Sequence, residues 1–174
     1  MSSDQIPIIV NLINLYPVAV DAQDWELLDL IFTEDACADF GGPAVFQGLA
    51  VLKQAFAAIH EPFAATQHVT TNHQVALVDA DTATCLSYVH GRFIRDVPQG
   101  GNMFESTGWY DDQLIRTAAG WRIRHRACRT VWCGGNPRVL QTTADVNADA
   151  ALHSLRSDGR AGEVNHLHQL RHLA

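Results

Sequence analysis

Residues 66–95 read TQHVTTNHQVALVDADTATCLSYVHGRFIR, and this stretch decides the fold class. On both sides of its central DAD turn signal, β-branched, aromatic and aliphatic residues alternate with polar ones, which predicts strands over 68–78 and 82–95. Two further extended runs, 102–116 and 121–132, follow after short turn signals that contain glycine. Together they predict four long antiparallel strands that follow one another along the chain.

The chain before this stretch has helical rather than extended periodicity. Apolar residues recur every three to four positions over 5–20, 24–32 and 49–63, which predicts three helices. A short extended run is expected at 36–40, and Asp24 is placed to cap the second helix. Helices followed by a meander predict an α+β domain, in which a strongly curved antiparallel sheet wraps around the helical layer and leaves a concave face for a pocket.

The chain after Pro137 returns to helical patterns, at 144–155 and 162–173. We therefore expect a domain over residues 1–137 and a helical extension over 138–174. The extension is expected to pack on the sheet or on a neighbouring subunit.

Composition narrows the possible partners. The chain has 174 residues, 47% hydrophobic and 18% charged, which fits one globular domain with a sizeable core. Its net charge of −7 and its lack of a Lys/Arg-rich run argue against nucleic acid or an anionic membrane as the main partner. A small hydrophobic substrate is the expected partner.

The location expected from the sequence is the cytoplasm. No apolar stretch approaches the length of a membrane span, and the first residues lack the positive region of a signal peptide. The four cysteines have no CxxC spacing, which favours reduced thiols.

Motifs for cofactors and metals are weak or absent. Neither a GxGxxG nor a P-loop sequence occurs, and Ser106 and Cys85 lack the local context of catalytic nucleophiles. His168 and His172 form an i, i+4 pair near His166, but no carboxylate or cysteine stands at a spacing that completes a site. The sequence therefore predicts chemistry with no cofactor and no metal.

Four side chains suited to acid–base catalysis lie far apart in the sequence. Asp21, His68, Tyr16 and Arg126 supply a carboxylate, an imidazole, a phenol and a guanidinium, which suffice for proton abstraction coupled to leaving-group departure. Each also has a structural interpretation. Asp21 could cap a helix, His68 and Tyr16 could be core residues with satisfied hydrogen bonds, and alternation puts Arg126 on an arginine-rich strand face that normally meets solvent.

Strand alternation also predicts the side-chain direction of a second histidine, His73. In the run that begins at His68, a two-residue period puts Thr70 and Asn72 on the same face as His68. It puts His73 on the opposite face, which makes His73 a poor partner for the other candidates.

The chain resembles the SnoaL-like branch of the NTF2-like superfamily, which includes scytalone dehydratase, bile-acid 7-alpha-dehydratase and hexachlorocyclohexane dehydrochlorinase. The resemblance extends over about 5–137 and is carried by YPVAVD at 16–21, TQH at 66–68 with Asn72 following, and GWRI at 120–123 leading to Trp132. It implies a cone-shaped α+β barrel.

The resemblance also implies roles for the four candidates. His68 would be the base, and Asp21 would orient its imidazole and stabilise the protonated form. Tyr16 and Arg126 would polarise a carbonyl or assist the leaving group. Five residues are predicted to contact substrate, namely Trp25, Phe56, Asn72, Ser106 and Trp132.

The function expected on these grounds is that of a dehydratase-like lyase or isomerase acting on a small hydrophobic cyclic substrate. A polyketide cyclase or epoxide hydrolase of the same superfamily is an alternative, and so is a non-catalytic small-molecule-binding module, because a fold does not fix a function. A homo-oligomer is expected by resemblance, with a trimer favoured over a dimer.

Overall fold

The computed structural model describes residues 4–141 and 151–173. Its helices are α1 (Gln5–Asp21), α2 (Leu49–His60), α3 (Leu155–Ala161) and α4 (Asn165–Leu173), with 3-10 helices at Trp25–Leu30 and Pro137–Val139. Its strands are β1 (Phe32–Asp39), β2 (Val45–Gln47), β3 (Ala65–Leu77), β4 (Thr82–Ile94), β5 (Met103–Thr117) and β6 (Gly120–Gly135). The predicted α+β class is confirmed.

The strands form one six-stranded sheet in the order β2-β1-β6-β5-β4-β3. The four long strands β3 to β6 pair antiparallel in sequence order, as predicted. The sheet as a whole is mixed rather than antiparallel, because β1 pairs in parallel with β6. The three-residue strand β2 is too short to show an alternating pattern, and the sequence did not predict it.

The helix predicted over 24–32 is shorter in the structure and is of the 3-10 type. Only Trp25–Leu30 is helical, as a 3-10 helix, and the chain is already extended at Phe32. Asp24 stands at the start of that helix, but its side chain makes no capping hydrogen bond. Apolar spacing misled here because Leu28 is buried from a helical turn and Phe32 from a strand, so two different backbones share one pattern.

Helix α1 packs its apolar side against the inner face of the sheet. Ile9, Ile13, Tyr16 and Val20 recur at three-to-four spacing and are all buried in the main core. This packing brings the C-terminal end of α1 beside β3. The last residue of α1 is Asp21, so the helix carries a carboxylate to the sheet.

Two irregularities in the sheet reverse the expected side-chain directions. In β3 the pairing register shifts between Thr71 and Gln74, and Asn72 has a positive φ of 54°. Alternation restarts after this bulge, so His73 is turned to the inner side, where Asp112 is a charged neighbour. The alternation-based placement of Asn72 inside and His73 outside is therefore wrong.

The second irregularity lies in β6. The β5–β6 register shifts after Gln113 and leaves Arg124 as the extra residue. Arg124 points to solvent, whereas Arg126, two positions later, is fully buried. The interpretation of both arginines as members of one solvated face is wrong for Arg126.

The C-terminal extension packs on the outer face of the sheet of its own chain. Val164, Leu155 and Leu167 contact Leu86 and Trp109 there. Most of the helix predicted over 144–155 lies outside the described residues. Residues 151–154 are not helical, and most of α3 lies between the two predicted helices.

Candidate active site

A carboxylate and an imidazole meet where α1 ends against β3. Nδ1 of His68 lies 2.7 Å from Oδ1 of Asp21, and the backbone N–H of His68 donates to Oδ2 at 2.7 Å. The hydroxyl of Thr66 also donates to Oδ1, at 2.9 Å. Thr66 and His68 are one strand period apart, so β3 presents both donors to one carboxylate. We call Asp21 and His68 the dyad.

The charge of Asp21 is stabilised by these donors. Burial pushes the pKa of its carboxyl upward, but the side-chain and backbone hydrogen bonds from His68, with that from Thr66, lower the pKa below its ordinary value overall. An ionised Asp21 fixes the proton of His68 on Nδ1, because a carboxylate can only accept. The second ring nitrogen, Nε2, then carries a lone pair.

His68 lines an apolar cavity. The cavity has a volume of about 410 Å³, and its walls include Phe40, Phe46, Phe56, Phe63 and Phe93. A volume of this order suits a small organic molecule. The dyad therefore places an imidazole with a free lone pair at the wall of an apolar cavity.

Gly91 makes room for the imidazole. It pairs with His68 across β3 and β4, and a Cβ at this position would lie 3.3 Å from Nε2 of His68 and 3.2 Å from the ring of Phe93. A side chain here would press on the catalytic candidate. The sequence offered no signal for this role, because an isolated glycine in a strand has several explanations.

A second histidine, His60, lines the same cavity and was not predicted. It ends α2, where its Nδ1 lies 2.9 Å from the carbonyl oxygen of Phe56. Burial is the main cause that lowers the pKa of this imidazole. A lone histidine on an apolar helix gives no sequence signal beyond that of a core residue.

Tyr16 also lines the cavity, and its hydroxyl stays protonated. The ring is 2% exposed and packs edge-on against Phe32, Phe56 and Tyr110. Burial raises the pKa of its phenol well above the usual value, although the positive charge of Arg126 opposes that rise. A neutral phenol at this position can donate a hydrogen bond but is a poor source of a phenolate.

Arg126 lies beneath the cavity floor rather than on its surface. Its Nε and Nη2 atoms donate to the two carboxylate oxygens of Asp112, each at 2.7 Å, and both side chains are fully buried. Its guanidinium lies 4.3 Å from the ring centre of Tyr16 and 4.1 Å from that of Tyr110. Arg126 is therefore separated from the cavity by the two tyrosine rings.

A different arginine reaches the cavity lining. Arg129 contributes to the wall and forms an ion pair with Asp39, with a distance of 2.6 Å between Nη2 and Oδ2. Cys128 beside it also lines the cavity, and burial raises the pKa of that thiol to about 12. A thiol with so high a pKa remains protonated and is a poor nucleophile.

The structure brings two of the five predicted substrate contacts to the cavity. Phe56 and Ser106 line it. Trp25 packs behind the wall, against Phe56 and His60, with ring centres 6.1 and 5.4 Å apart. Asn72 sits exposed at the bulge of β3, and Trp132 is half-exposed. Neither of these two is among the cavity-lining residues.

Within residues 4–141 and 151–173, no group of three or more His, Cys, Asp or Glu side chains is arranged to hold a metal ion. The i, i+4 pair of the extension, His168 and His172, places its Nε2 atoms 3.2 Å apart on the exposed side of α4. Over the same residues, no helix is long and apolar enough to cross a membrane.

Comparisons with known proteins agree with this architecture. Uncharacterized protein Rv2910c of Mycobacterium tuberculosis is 30% identical over 125 residues, which is 71% of this chain and 83% of the relative. A candidate scytalone dehydratase from Novosphingobium aromaticivorans is 20% identical, with a TM-score of 0.70 over 85% of this chain and 91% of its own. The LinA-type3 hexachlorocyclohexane dehydrochlorinase of Novosphingobium barchaimii is 16% identical, with a TM-score of 0.68 over 83% and 93%.

The structural relatives therefore include a candidate dehydratase and a dehydrochlorinase, which share the NTF2-like fold with this chain. The SnoaL-like domain matches residues 3–127, a segment that contains the dyad, Tyr16 and Arg126. Because this match covers most of the chain, the chain belongs to the SnoaL-like domain family.

Proposed function

We propose that this protein is a cofactor-independent lyase of the dehydratase type, acting on a small hydrophobic cyclic substrate. The observation that carries the proposal is the 2.7 Å contact between Nδ1 of His68 and Asp21, which leaves Nε2 as a base at the cavity. A base held in one tautomer by a carboxylate, at the wall of an apolar cavity, is suited to removing a proton from carbon.

The proposed reaction is an elimination. Nε2 of His68 takes a proton from a ring carbon, the electrons of that C–H bond form a C=C bond, and the bond to the leaving group on the neighbouring carbon breaks. Asp21 stabilises the imidazolium that results. When the leaving group is hydroxide, it departs as water after gaining the proton from His68, so the base is regenerated.

Tyr16 is proposed to donate a hydrogen bond to the leaving group or to a substrate carbonyl. Its protonated phenol at the cavity wall supports that role. Arg126 is proposed to act through Tyr16, because its charge lies against the buried side of that ring and two of its donors, Nε and Nη2, are engaged by Asp112. This makes Arg126 a positioning residue.

The structural relatives support elimination chemistry. One is described as a candidate scytalone dehydratase and another as a hexachlorocyclohexane dehydrochlorinase, names that denote loss of water and of hydrogen chloride. We extend to this chain only the common feature, elimination from a carbon framework. Isomerisation, cyclisation and epoxide opening would use the same base and differ in substrate.

The proposal is tested with a panel of cyclic β-hydroxy ketones and halogenated rings, followed by the absorbance of the new double bond. On any substrate that is turned over, His68→Ala should lower kcat by about 10²- to 10⁴-fold. His90→Ala is the matched control, because His90 lies on β4, pairs with Glu105 and does not line the cavity. Full activity in His68→Ala on such a substrate would rule out the mechanism.

The same panel separates the enzyme from a non-catalytic small-molecule-binding module. The apolar cavity would also serve a binding protein, and in that case compounds would bind tightly without any being converted. Saturable binding across the panel with no turnover by the wild-type protein would favour this second function.

Assembly into a homo-oligomer remains a proposal, with a trimer favoured over a dimer. It is supported by exposed apolar side chains on the sheet, with Val69, Tyr88 and Val131 each 44–45% exposed. Sedimentation equilibrium on the full chain measures the oligomeric state, and a monomer at micromolar concentration would contradict the proposal.

A further inference from the structure

The cavity contains a second nitrogen acceptor that the proposed elimination does not use. His60 is 6% exposed and lines the cavity from α2, whereas His68 lines it from β3. The two histidines are close enough to influence each other electrostatically. A second imidazole at the cavity can recognise a polar group of a bound ligand.

The tautomer of His60 follows from its backbone contact. Nδ1 lies 2.9 Å from the carbonyl oxygen of Phe56, and a carbonyl oxygen only accepts hydrogen bonds. The proton of the neutral ring is therefore on Nδ1, and Nε2 carries the lone pair. Burial lowers the pKa of this imidazole, which favours the neutral form.

The Nε2 atom of His60 is available to a ligand. Among the described residues no side chain or backbone group hydrogen-bonds to it. It also differs from the second ring nitrogens of His73, His125 and His166, which are buried without partners. His60 lines the cavity, and Nε2 is the ring nitrogen that its contact with Phe56 leaves free.

The ring of His60 is held in place. It packs between Trp25, Phe56 and Phe63, with ring centres 5.3 to 5.7 Å apart, and its own carbonyl accepts from Gln23 at 3.2 Å. A rigid acceptor makes a directional contact without losing much freedom on binding. Trp25, which lies behind the cavity wall, therefore supports the ring of His60.

We propose that Nε2 of His60 accepts a hydrogen bond from a hydroxyl group of the substrate that is not the leaving group. This inference rests on the proposed function, and the substrate class it implies is hydroxylated cyclic compounds, either phenols or alcohols. In a largely apolar cavity an unpaired acceptor is costly, so a ligand that supplies a donor is favoured over its unsubstituted analogue.

The test uses two probes that differ only in the hydroxyl group, 2-naphthol and naphthalene. Their dissociation constants are measured by intrinsic fluorescence for the wild-type protein and two variants. His60→Asn keeps a donor that can reach the Phe56 carbonyl but withdraws the acceptor from the cavity. His60→Gln places its carbonyl oxygen near the former Nε2, and circular dichroism checks that both variants fold.

We expect the wild-type protein to prefer 2-naphthol, and His60→Asn to reduce this preference by about three- to tenfold, as for loss of one hydrogen bond. His60→Gln should retain part of it. An unchanged preference in His60→Asn, or no binding of 2-naphthol by the wild-type protein up to its solubility limit, overturns the proposal.

The same probes distinguish this proposal from the elimination mechanism. Neither compound has a leaving group, so the binding ratio does not depend on turnover. A variant His68→Asn that lowers the preference for 2-naphthol, while His60→Asn does not, would assign the hydroxyl to the dyad and overturn the role of His60. Loss of turnover in His68→Ala would be unaffected by either result.

Discussion

Two carboxylates on the inner side of the fold bind nitrogen donors at the same distance, yet their surroundings differ. Asp21 meets His68 at 2.7 Å, and Asp112 meets Arg126 at 2.7 Å. The side chains of the first pair are 24% and 8% exposed, whereas those of the second are both 0% exposed. Within the described part of the chain, the two pairs differ in which of their atoms has no hydrogen-bond partner.

In the dyad the remaining atom is Nε2 of His68, which carries a lone pair, and His68 lines the cavity. In the Asp112–Arg126 pair the remaining atom is a donor nitrogen in the protein interior. Nη1 of Arg126 is buried and has no hydrogen-bond partner in the described residues. A buried ion pair whose partners cannot reach solvent is very costly to break. Equal distances therefore do not imply equal roles, because the proposed base borders the cavity whereas the Asp112–Arg126 pair is fully buried.

The largest effect on stability should come from Arg126→Met. This change leaves the carboxylate of Asp112 buried without its cation, which should lower the free energy of unfolding by about 3–5 kcal/mol. Urea unfolding followed by circular dichroism measures it. Arg124→Met is the matched control, because Arg124 is exposed on the same strand with an exposed partner, Asp35. Similar stability losses in the two variants would remove the distinction between them.

Asp21→Asn should mainly affect chemistry rather than stability. The amide cannot stabilise an imidazolium, so turnover should fall by about 100-fold or more, within the range for general acid–base catalysis. Loss of the charge-assisted hydrogen bonds should cost only about 1–2 kcal/mol of stability. Steady-state kinetics and urea unfolding give both numbers. A variant as unstable as Arg126→Met would show that the dyad is chiefly structural.

Gly91→Ala tests the space around the imidazole. The added methyl group would lie 3.3 Å from Nε2 of His68, so the ring must move by a few tenths of an ångström. We expect turnover to fall by about tenfold, since small misplacements of a catalytic group are costly, with secondary structure unchanged. Nitrogen NMR of the imidazole should still show the proton on Nδ1, and a switch to the other tautomer would contradict this account.

The smallest predicted effect is a change in protein stability with pH, in the acid range. The pKa of Asp21 is lowered in the folded protein, so its contribution to stability is fully present above the ordinary carboxyl pKa of about 4 and is lost as the pH falls through the folded value. The stability difference between wild type and Asp21→Asn should therefore shrink from pH 6 to pH 3. A difference that grows toward low pH would indicate a raised pKa instead.

The sequence predicted the long strands because alternation persists over most of β3 to β6. The predicted side-chain directions were wrong where one extra residue interrupts the two-residue alternation of a strand. The bulges at Asn72 and Arg124 each reverse the side chains that follow, so His73 and Arg126 point inward, against the directions that alternation alone predicts. Bulges depend on pairing with a neighbouring strand, which a single run of residues does not reveal.

The dyad was predicted through family resemblance rather than through spacing. Asp21 and His68 are 47 positions apart, and only the packing of α1 on β3 joins them. His60 was missed because its importance arises from the cavity that other elements enclose. The prediction chose Arg126, although the structure places Arg129 on the cavity wall.

The position of β6 has a consequence for how the chain is made. This strand covers Gly120–Gly135, yet it lies between β1 and β5 in the sheet. Until a ribosome has released these residues, the nascent chain can form only a β1–β2 piece and a β3–β5 piece, with no strand to join them. Pairings between distant segments fold slowly. Completion of the cavity must therefore wait until most of the chain has been synthesised, and the unpaired edges of β1 and β5 need protection from aggregation until then.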